Sequence, residues 1–355
     1  MTDTPQLRLL GFTEAIAAQV AGHARGLLPG RVTRSDRGFV FVMTEGGIVI
    51  AQPATRLVKQ ADDGGLPVVG DWVLMGGDLD EPLVEVVLPR STAIVRRDPG
   101  RAARLQVLAA NIDAVFITHP MDDEPVKLSR IERELALVWD SGAEPFLVFT
   151  KADLCADVDA VIAAAAPVAP GVTIYITSAT TGVGVDALAA WLTAGRTGAL
   201  IGPSGSGKST IVNYLVGEDL QATREVRVSD HRGRHTTVSR ELVPLPSGGL
   251  LIDTPGLRAV GMWESTDGLD QAFSDVAELA THCRFRDCQH EGEPGCAVEA
   301  AVVAGELPAR RLESYRELQA EIRHIGEDLD VRARLERKRE DRLLAKTIKR
   351  FYRDR

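Results

Sequence analysis

The feature that most constrains the fold is the stretch ALIGPSGSGKST at 199–210, which contains the pattern G-x-x-x-x-G-K-S/T. An apolar run precedes the glycines and the helix-forming run STIVNYLVG follows, which is the strand–loop–helix setting of a phosphate-binding loop. Apolar strands alternate with helical segments from about residue 105 onwards. This alternation predicts a nucleotide-binding α/β domain, in which helices cover both faces of a parallel sheet.

The phosphate-binding loop predicts roles for its residues. Backbone N–H groups of the loop, together with the positive end of the following helix, would bind phosphate oxygens. Lys208 would bridge the β- and γ-phosphates, and Ser209 would bind Mg²⁺. The predicted nucleotide-binding residues of the loop are Gly202, Pro203, Ser204, Gly205, Ser206, Gly207, Lys208, Ser209 and Thr210.

A second motif, LLIDTPG at 250–256, predicts the other half of a Mg²⁺ and γ-phosphate site. Asp253 would hold Mg²⁺ through water, and the Gly256 amide would meet the γ-phosphate. The polar loop between the two motifs contains two adjacent threonines. Either Thr237 or Thr236 would complete the Mg²⁺ shell, and the sequence does not choose between them.

The stretch LVFTKADL at 147–154 has the pattern of a buried strand followed by a polar loop, and it predicts guanine recognition. Asp153 can accept hydrogen bonds from guanine N1–H and N2–H, which adenine lacks, while the Lys151 stem lies along the base. Thr150 stands where such loops usually carry asparagine. We expect this replacement to weaken affinity rather than specificity.

The order of these motifs is unusual. TSAT, with Ser178 and Ala179, predicts the loop whose backbone contacts guanine O6, and both base-reading motifs precede the phosphate loop. All the motifs still follow strand ends, where ligands bind an open α/β sheet. A circular permutation that joins the old termini and cuts the chain after the LLIDTPG motif explains this order, because adjacent termini tolerate such a change. The chain after Gly256 then leads directly into the C-terminal domain, which nucleotide state could move.

The stretch CRFRDCQHEGEPGC spaces three cysteines and a histidine as C-x4-C-x-H-x5-C. Three thiolates and one imidazole suit tetrahedral Zn²⁺, and a closed set of four ligands predicts a structural site. The predicted zinc ligands are Cys283, Cys288, His290 and Cys296. His282 is the weaker histidine candidate because it adjoins the first cysteine. The alternative is three buried free cysteines beside a surface histidine.

Short strands broken by glycine, aspartate and proline fill residues 30–100, which predicts a small antiparallel barrel.

The net charge is −9, yet residues 331–355 hold 11 Lys/Arg and 4 Asp/Glu. Such asymmetry predicts a basic arm for an acidic partner such as RNA, with a solvated helix end as the alternative. The predicted RNA-binding residues of the tail are Arg337, Lys338 and Arg339. Those of the barrel are Arg31, Arg34 and Arg37, which could instead belong to the polar turns of any soluble barrel.

The N-terminal stretch MTDTPQLRLL lacks the basic start and apolar core of a secretion signal. The longest uncharged run contains prolines and glycine, so a helix–turn–strand unit is favoured over a membrane span. We therefore expect a cytoplasmic monomer that does not contact a membrane.

In this order, TKAD, TSA, GPSGSGKS, GRHTT, DTPG and the cysteine motif resemble the bacterial ribosome-small-subunit-dependent GTPase family (RsgA, also called YjeQ) over about residues 30–340. The resemblance implies an OB-fold barrel, a permuted GTPase domain, zinc bound by the four ligands above, and late maturation of the 30S subunit with its 16S rRNA. The predicted divisions are an N-terminal extension (1–29), an OB-like barrel (30–104), the GTPase domain (105–265), a mostly helical zinc-binding domain (266–330) and a basic tail (331–355).

The sequence does not show which side chain would orient the water molecule that attacks the γ-phosphate. Leu257 occupies the place where related enzymes carry a water-orienting glutamine. His235 beside the threonine pair is the nearest candidate, and a plain surface histidine is the alternative.

We expect slow GTP hydrolysis to GDP by the isolated protein and stimulation by the subunit. An RNA-binding scaffold with a structural nucleotide site is the alternative function, and an ATPase is a weaker third option.

Overall fold

The computed structural model describes residues 4–23, 26–36, 38–60, 65–78, 81–97, 105–122, 125–217, 240–253 and 267–325. Its N-terminal part contains two short helices, five strands and a third helix. They are α1 (Pro5–Leu9), α2 (Glu14–Ala21), β1 (Leu28–Asp36), β2 (Phe39–Thr44), β3 (Gly47–Pro53), α3 (Thr55–Gln60), β4 (Trp72–Asp78) and β5 (Glu81–Val87).

These five strands form a closed ring. The hydrogen-bonded order is β1-β2-β3-β5-β4, and β4 pairs again with β1. Every second residue of a strand points to the same face, so the alternating apolar residues meet inside the ring. Val32, Val42, Val73 and Val84 are fully buried there. The predicted small barrel is present, but it is not wholly antiparallel, because β3 and β5 pair in parallel.

The next part of the chain forms the nucleotide-binding architecture. A hairpin of β6 (Ala93–Arg97) and β7 (Leu105–Ala110) leads into it. The elements that follow are β8 (Ala114–Pro120), α4 (Leu128–Asp140), β9 (Glu144–Thr150), α5 (Val158–Ala165), β10 (Thr173–Ile176), α6 (Val185–Trp191), β11 (Thr197–Ile201), α7 (Lys208–Val216), β12 (Glu241–Pro244) and β13 (Leu250–Asp253).

Their sheet has the order β10-β9-β8-β11-β13-β12, and all neighbours are parallel except β12 and β13. Successive residues of β8 lie in two different apolar clusters. Val115 and Ile117 pack with the α4 side, whereas Phe116 packs with α6 and α7. Helices therefore cover both faces, which confirms the predicted parallel sheet.

The barrel and this sheet are continuous through one strand pair. Strand β12 pairs with β13 on one edge and with β1 of the barrel on the other, where Arg34 faces Glu241. The two domains therefore share a hydrogen-bonded edge. Sequence reasoning had assigned the start of β12 to a loop, because this strand is only four residues long and follows a strongly polar stretch.

Arg31 corrects one prediction. Its side chain is 2% exposed, and its guanidinium donates to the carbonyl oxygens of Gly70 (3.2 Å), Asn111 (2.8 Å) and Leu10. Burial lowers the pKa of Arg31 to about 10, so the group still carries its charge at neutral pH. The prediction that Arg31 contacts RNA is wrong, because the guanidinium holds three segments together inside the protein.

The structure is continuous across two of the predicted domain limits. Strand β6 pairs with β7 across the limit placed at 104, with Ala93 opposite Ala110. The N-terminal segment also contributes to the main core, because Leu7 and Leu10 are buried in it. The exact divisions therefore stay predictions.

The C-terminal part is helical, as expected, and it docks on α4. Its helices are α8 (Asp267–Ala272), α9 (Ser274–Ala280), α10 (Ala297–Ala304) and α11 (309–325). Gly268 permits close approach, because a Cβ there would collide with the Ala136 carbonyl oxygen on α4. Across the described ranges, no helix has the length and apolarity needed to cross a membrane.

An ion network strengthens this docking. Glu132 on α4 is fully buried and accepts from Arg310 at 3.1 and 3.2 Å and from Arg311 at 2.9 Å. Arg311 also pairs with Asp275 on α9 at 2.9 Å and lies over the Phe273 ring. The C-terminal helices are therefore anchored to the nucleotide-binding sheet through α4.

Candidate nucleotide and metal sites

The phosphate loop connects β11 to α7, as the motif predicted. Lys208 opens α7, and its ammonium donates to the carbonyl oxygens of Gly202 (3.0 Å) and Pro203 (2.5 Å) and to Ser206 Oγ (3.0 Å). Gly202 has a φ of 138°, and a Cβ there would collide with the Thr118 carbonyl oxygen. Only glycine fits this position, and the loop closes around the lysine head group.

Two neighbouring strands hold this loop. Thr118 on β8 lies between the loop and the sheet, with Oγ1 at 2.8 Å from the Ile201 carbonyl oxygen and 2.7 Å from Ser206 Oγ. Thr150 at the end of β9 donates its hydroxyl to the Ser206 carbonyl oxygen at 2.8 Å. Ser206 is fully buried. Its side chain is therefore held from β8 and its backbone from β9.

The two predicted base-reading loops lie side by side at the ends of β9 and β10. The Ala152 amide donates to the Thr177 carbonyl oxygen at 3.1 Å, which joins them. Asp153 lies in a short 3₁₀ turn with its carboxylate exposed, and Ser178 is buried beside Ala179. The structure thus brings Thr150–Asp153 and Ser178–Ala179 together next to the phosphate loop.

Lys151 has a partner that sequence reasoning missed. The residue has a left-handed backbone with a φ of 59°, and Nζ lies 3.0 Å from Asp122 Oδ2. Asp122 follows β8 by two residues, and its position at a strand end was the available signal. Asp122 and Lys151 line a cleft of about 510 Å³ with residues 203–205 of the phosphate loop.

A second pair, which is buried, borders the same cleft. His119, on β8, has Nε2 at 2.7 Å from Glu134 Oε2 on α4, and Arg130 Nε donates to the other carboxylate oxygen at 3.0 Å. The imidazole is therefore held against α4. The first turns of α4 consequently contact both the edge of the nucleotide cleft and the C-terminal helices.

Several predicted residues lie outside the described ranges. Strand β13 ends at Asp253 beside β11, with Ala199 opposite Ile252, so its backbone lies near the start of the phosphate loop. The Asp253 side chain is not among those described. The other predicted residues outside the description are His235, Thr236, Thr237, Gly256, Arg37, Arg337, Lys338 and Arg339.

The cysteine motif folds into one compact donor cluster. The ligand atoms of Cys283, Cys288, His290 and Cys296 all lie within 4.8 Å of one another. His290 Nδ1 is 3.6 Å from Cys283 Sγ and 3.4 Å from Cys296 Sγ, and the two sulfurs are 4.0 Å apart. A tetrahedral zinc site has edges of roughly 3.5–3.8 Å. The donors are arranged closely enough to hold one metal ion.

The surroundings shift the pKa values of two of the thiols in opposite directions. At Cys283 burial raises the pKa, but amide hydrogen bonds from Ala297 and Val298 outweigh it and the pKa is lowered. Burial raises the pKa of the Cys288 thiol to about 12. A cation among these donors would favour all three thiolates, because it supplies the charge that burial otherwise opposes.

The outer face of the barrel carries apolar side chains beside Arg34. Its guanidinium pairs with Asp36 at 2.7 Å and lies over the Phe41 ring at 4.9 Å. Ile48 and Ile50 on β3 are 54% and 56% exposed. Strand pairing places Ile50 opposite Phe41, so a mixed aromatic and aliphatic surface lies around this arginine.

Comparisons with known proteins identify relatives of this chain. A family model described as RsgA GTPase matches residues 87–263. A Streptomyces coelicolor protein named small ribosomal subunit biogenesis GTPase RsgA is 47% identical over 323 residues, which cover 89% of this chain and 86% of that protein. A protein of the same name from Methanosarcina acetivorans is 36% identical over 349 residues, covering 96% and 92% of the two chains.

Solved structures show the same architecture. YjeQ from Thermotoga maritima superposes with a TM-score of 0.63 at 25% identity, covering 83% of this chain and 98% of that one. YloQ, described as a circularly permuted GTPase, gives a TM-score of 0.60 at 25% identity, covering 85% and 97%. Both superpositions therefore cover more than four-fifths of this chain.

Proposed function

This chain belongs to the RsgA GTPase family and is a GTP hydrolase, and we propose that it acts in maturation of the small ribosomal subunit. The observation that carries the nucleotide-binding part of this function is the meeting of the base-reading loops and the phosphate loop at one edge of the sheet, and the subunit role is supported by the names of the relatives. The hydrogen bond from Thr150 to Ser206 joins the two loops directly.

Each end of the nucleotide has a proposed partner. Asp153, exposed beside the cleft, would accept the guanine N1–H and N2–H and so select GTP over ATP. Lys208, oriented by the loop carbonyls, would contact the β- and γ-phosphates. Asp153→Asn should weaken GTP binding and shift base choice towards xanthine.

Bound Mg²⁺ would neutralise charge on the β- and γ-phosphates during hydrolysis. Ser209 would hold this ion from the start of α7, and Asp253 would do so through water. Either Thr237 or Thr236 would complete the shell. His235 stays our proposed water-orienting residue, so His235→Ala should lose subunit-stimulated turnover while keeping GTP affinity.

We assign Zn²⁺ to the cysteine cluster. Three sulfurs and one imidazole nitrogen with edges of 3.4–4.0 Å fit a closed tetrahedral site. Such a site orders its loop and takes no part in the reaction. The ligands come from one polar loop between α9 and α10, which has few apolar side chains of its own to bury.

The proposed partner is the 30S subunit with its 16S rRNA, bound by a cytoplasmic monomer. Relatives are named for small ribosomal subunit biogenesis. Arg34 on an OB-like barrel, together with Arg37 and the basic tail at Arg337, Lys338 and Arg339, supplies the proposed cationic contacts. Phosphate contacts of this kind make binding salt-dependent.

Two measurements test the proposal. GTP turnover by the purified protein should be slow and should rise when 30S subunits are added. Subunit affinity should be higher with a non-hydrolysable GTP analogue than with GDP. Equal affinity in both nucleotide states, together with unchanged subunit binding by Lys208→Ala, would instead identify an RNA-binding scaffold. Turnover that is identical with and without subunits would contradict the stimulated mechanism.

A further inference from the structure

We infer that Thr150 is a positioning residue that ties the guanine-reading loop to the phosphate loop, and that it does not read the base. The inference rests on the proposed use of this cleft for guanine nucleotides. It concerns the one position where the base-reading motif departs from the usual asparagine.

The single hydroxyl proton of this threonine is committed to the phosphate loop. Thr150 is 3% exposed, and Oγ1 lies 2.8 Å from the Ser206 carbonyl oxygen. The other nearby acceptor, the His119 carbonyl oxygen, is 3.4 Å away, beyond the usual hydrogen-bond distance. A hydroxyl has one proton, so donation to Ser206 leaves none for a base acceptor.

Ser206 is the residue through which this hydrogen bond acts. Lys208 Nζ donates to Ser206 Oγ at 3.0 Å, and Ser206 Oγ lies 2.7 Å from Thr118 Oγ1. Thr118 in turn donates to the Ile201 carbonyl oxygen at 2.8 Å. In this chain of contacts each hydroxyl gives one hydrogen bond and accepts one. Ser206 is thus fixed by its side chain from β8 and by its carbonyl from β9.

This arrangement separates two roles within one motif. Asp153 supplies the exposed acceptor for the base, whereas Thr150 sets the distance between the base loop and the phosphate loop. A nucleotide must contact both loops at once, so freeing one loop from the other lowers affinity for every nucleotide that spans them. Base choice is unchanged, because no base atom loses a partner.

Thr150→Val is the direct test, with Thr150→Ser as its matched control. Valine keeps the shape but leaves the buried Ser206 carbonyl oxygen without its donor, which corresponds to about a tenfold loss of affinity. We expect GDP and 7-deaza-GDP, which lacks the guanine N7 acceptor, to weaken by the same factor. Thr150→Ser keeps the hydroxyl and should recover most of the lost affinity. The preference for GDP over ADP should not change.

Two results would overturn the inference. One is a valine variant whose loss for GDP is much larger than its loss for 7-deaza-GDP, which would show that the hydroxyl contacts the base. The other is unchanged GDP affinity in the valine variant. If that variant does not fold, Thr118→Val tests the same anchoring from the β8 side, with the same equal loss expected. Wild-type protein that binds no guanine nucleotide would instead refute the proposed function.

Discussion

The nucleotide cleft and the cysteine cluster are built in opposite ways. The cleft collects Thr118, Thr150, Ser178 and Ser206 from four different strand ends at one edge of the sheet. The four donors of the cluster come from 14 consecutive residues. One site depends on the topology of a whole sheet, and the other on a single loop.

This difference separates what each site needs in order to exist. The cleft is held by a buried hydrogen-bond network and by apolar packing on both faces of the sheet. The cluster loop contains charged and polar side chains, so we expect its order to come from the metal. Substitutions in the cluster should therefore disorder only its own loop. Substitutions at the sheet edge should weaken nucleotide binding and leave the metal bound.

Loss of the metal should have the largest effect. Cys288→Ser removes one ligand, and structural zinc contributes on the order of 10 kcal/mol of folding free energy in small zinc-binding peptides. We expect loss of one zinc ion per chain and rapid proteolysis between α9 and α10, with GDP affinity nearly unchanged. Cys155→Ser, which alters a cysteine outside the cluster, should retain the metal. An equally large drop in GDP affinity would contradict the separation of the two sites.

Glu132→Gln tests how firmly the two regions are joined. It removes the buried charge facing Arg310 and Arg311, and breaking such a pair costs about 3–5 kcal/mol. We expect a drop of this size in the free energy of unfolding by urea. Glu321→Gln is the matched control, because its pair with Arg133 is one-third exposed. It should cost less than about 1 kcal/mol. Equal effects of the two substitutions would show that burial of the network contributes nothing.

Lys208→Ala should act on the cleft alone. Loss of one preorganised donor to transition-state charge typically lowers kcat by about 10²–10³-fold. GTP turnover measured with subunits should fall by this factor, while zinc content and unfolding remain as in the wild type. Loss of zinc in this variant would show that the two sites are not independent.

Asp122→Asn should have the smallest effect. Its ion pair with Lys151 is one-third exposed, so its contribution is at most about 1 kcal/mol, or roughly fivefold in GDP affinity. Asp36→Asn breaks a comparable pair with Arg34 on the barrel and should leave GDP affinity unaltered. A loss of the preference for GDP over ADP in Asp122→Asn would mean that the lysine takes part in base selection.

Much of the fold could be predicted because its signals are local. The buried strand predicted before the TKAD loop is β9, because its continuous apolar run is visible in the sequence. Strands β7 and β12 were missed. Strand β12 has four residues and ends in proline, so it has no periodic signal and is defined only by its neighbours β1 and β13.

The errors at single residues have the same origin, because these residues depend on contacts with distant parts of the chain. Arg31 was predicted at the surface because arginine is usually exposed, and its burial depends on carbonyl groups near residues 10, 70 and 111. Thr118 resembles any β-branched strand residue until β8 is placed beside β11. The cysteine spacing, in contrast, predicted the cluster correctly because all its ligands are close in sequence.

Strand β12 joins the barrel to the nucleotide-binding sheet, so a movement of the sheet would be passed on to the barrel. It follows the chain that contains Thr236 and Thr237, and it pairs with β13, which ends at Asp253, as well as with β1. It pairs over four residues with β13 on one edge and meets β1 at Arg34 and Glu241 on the other. A small rotation of β12 would therefore displace the far side of the barrel further than the near side, because displacement grows with distance from the axis of rotation.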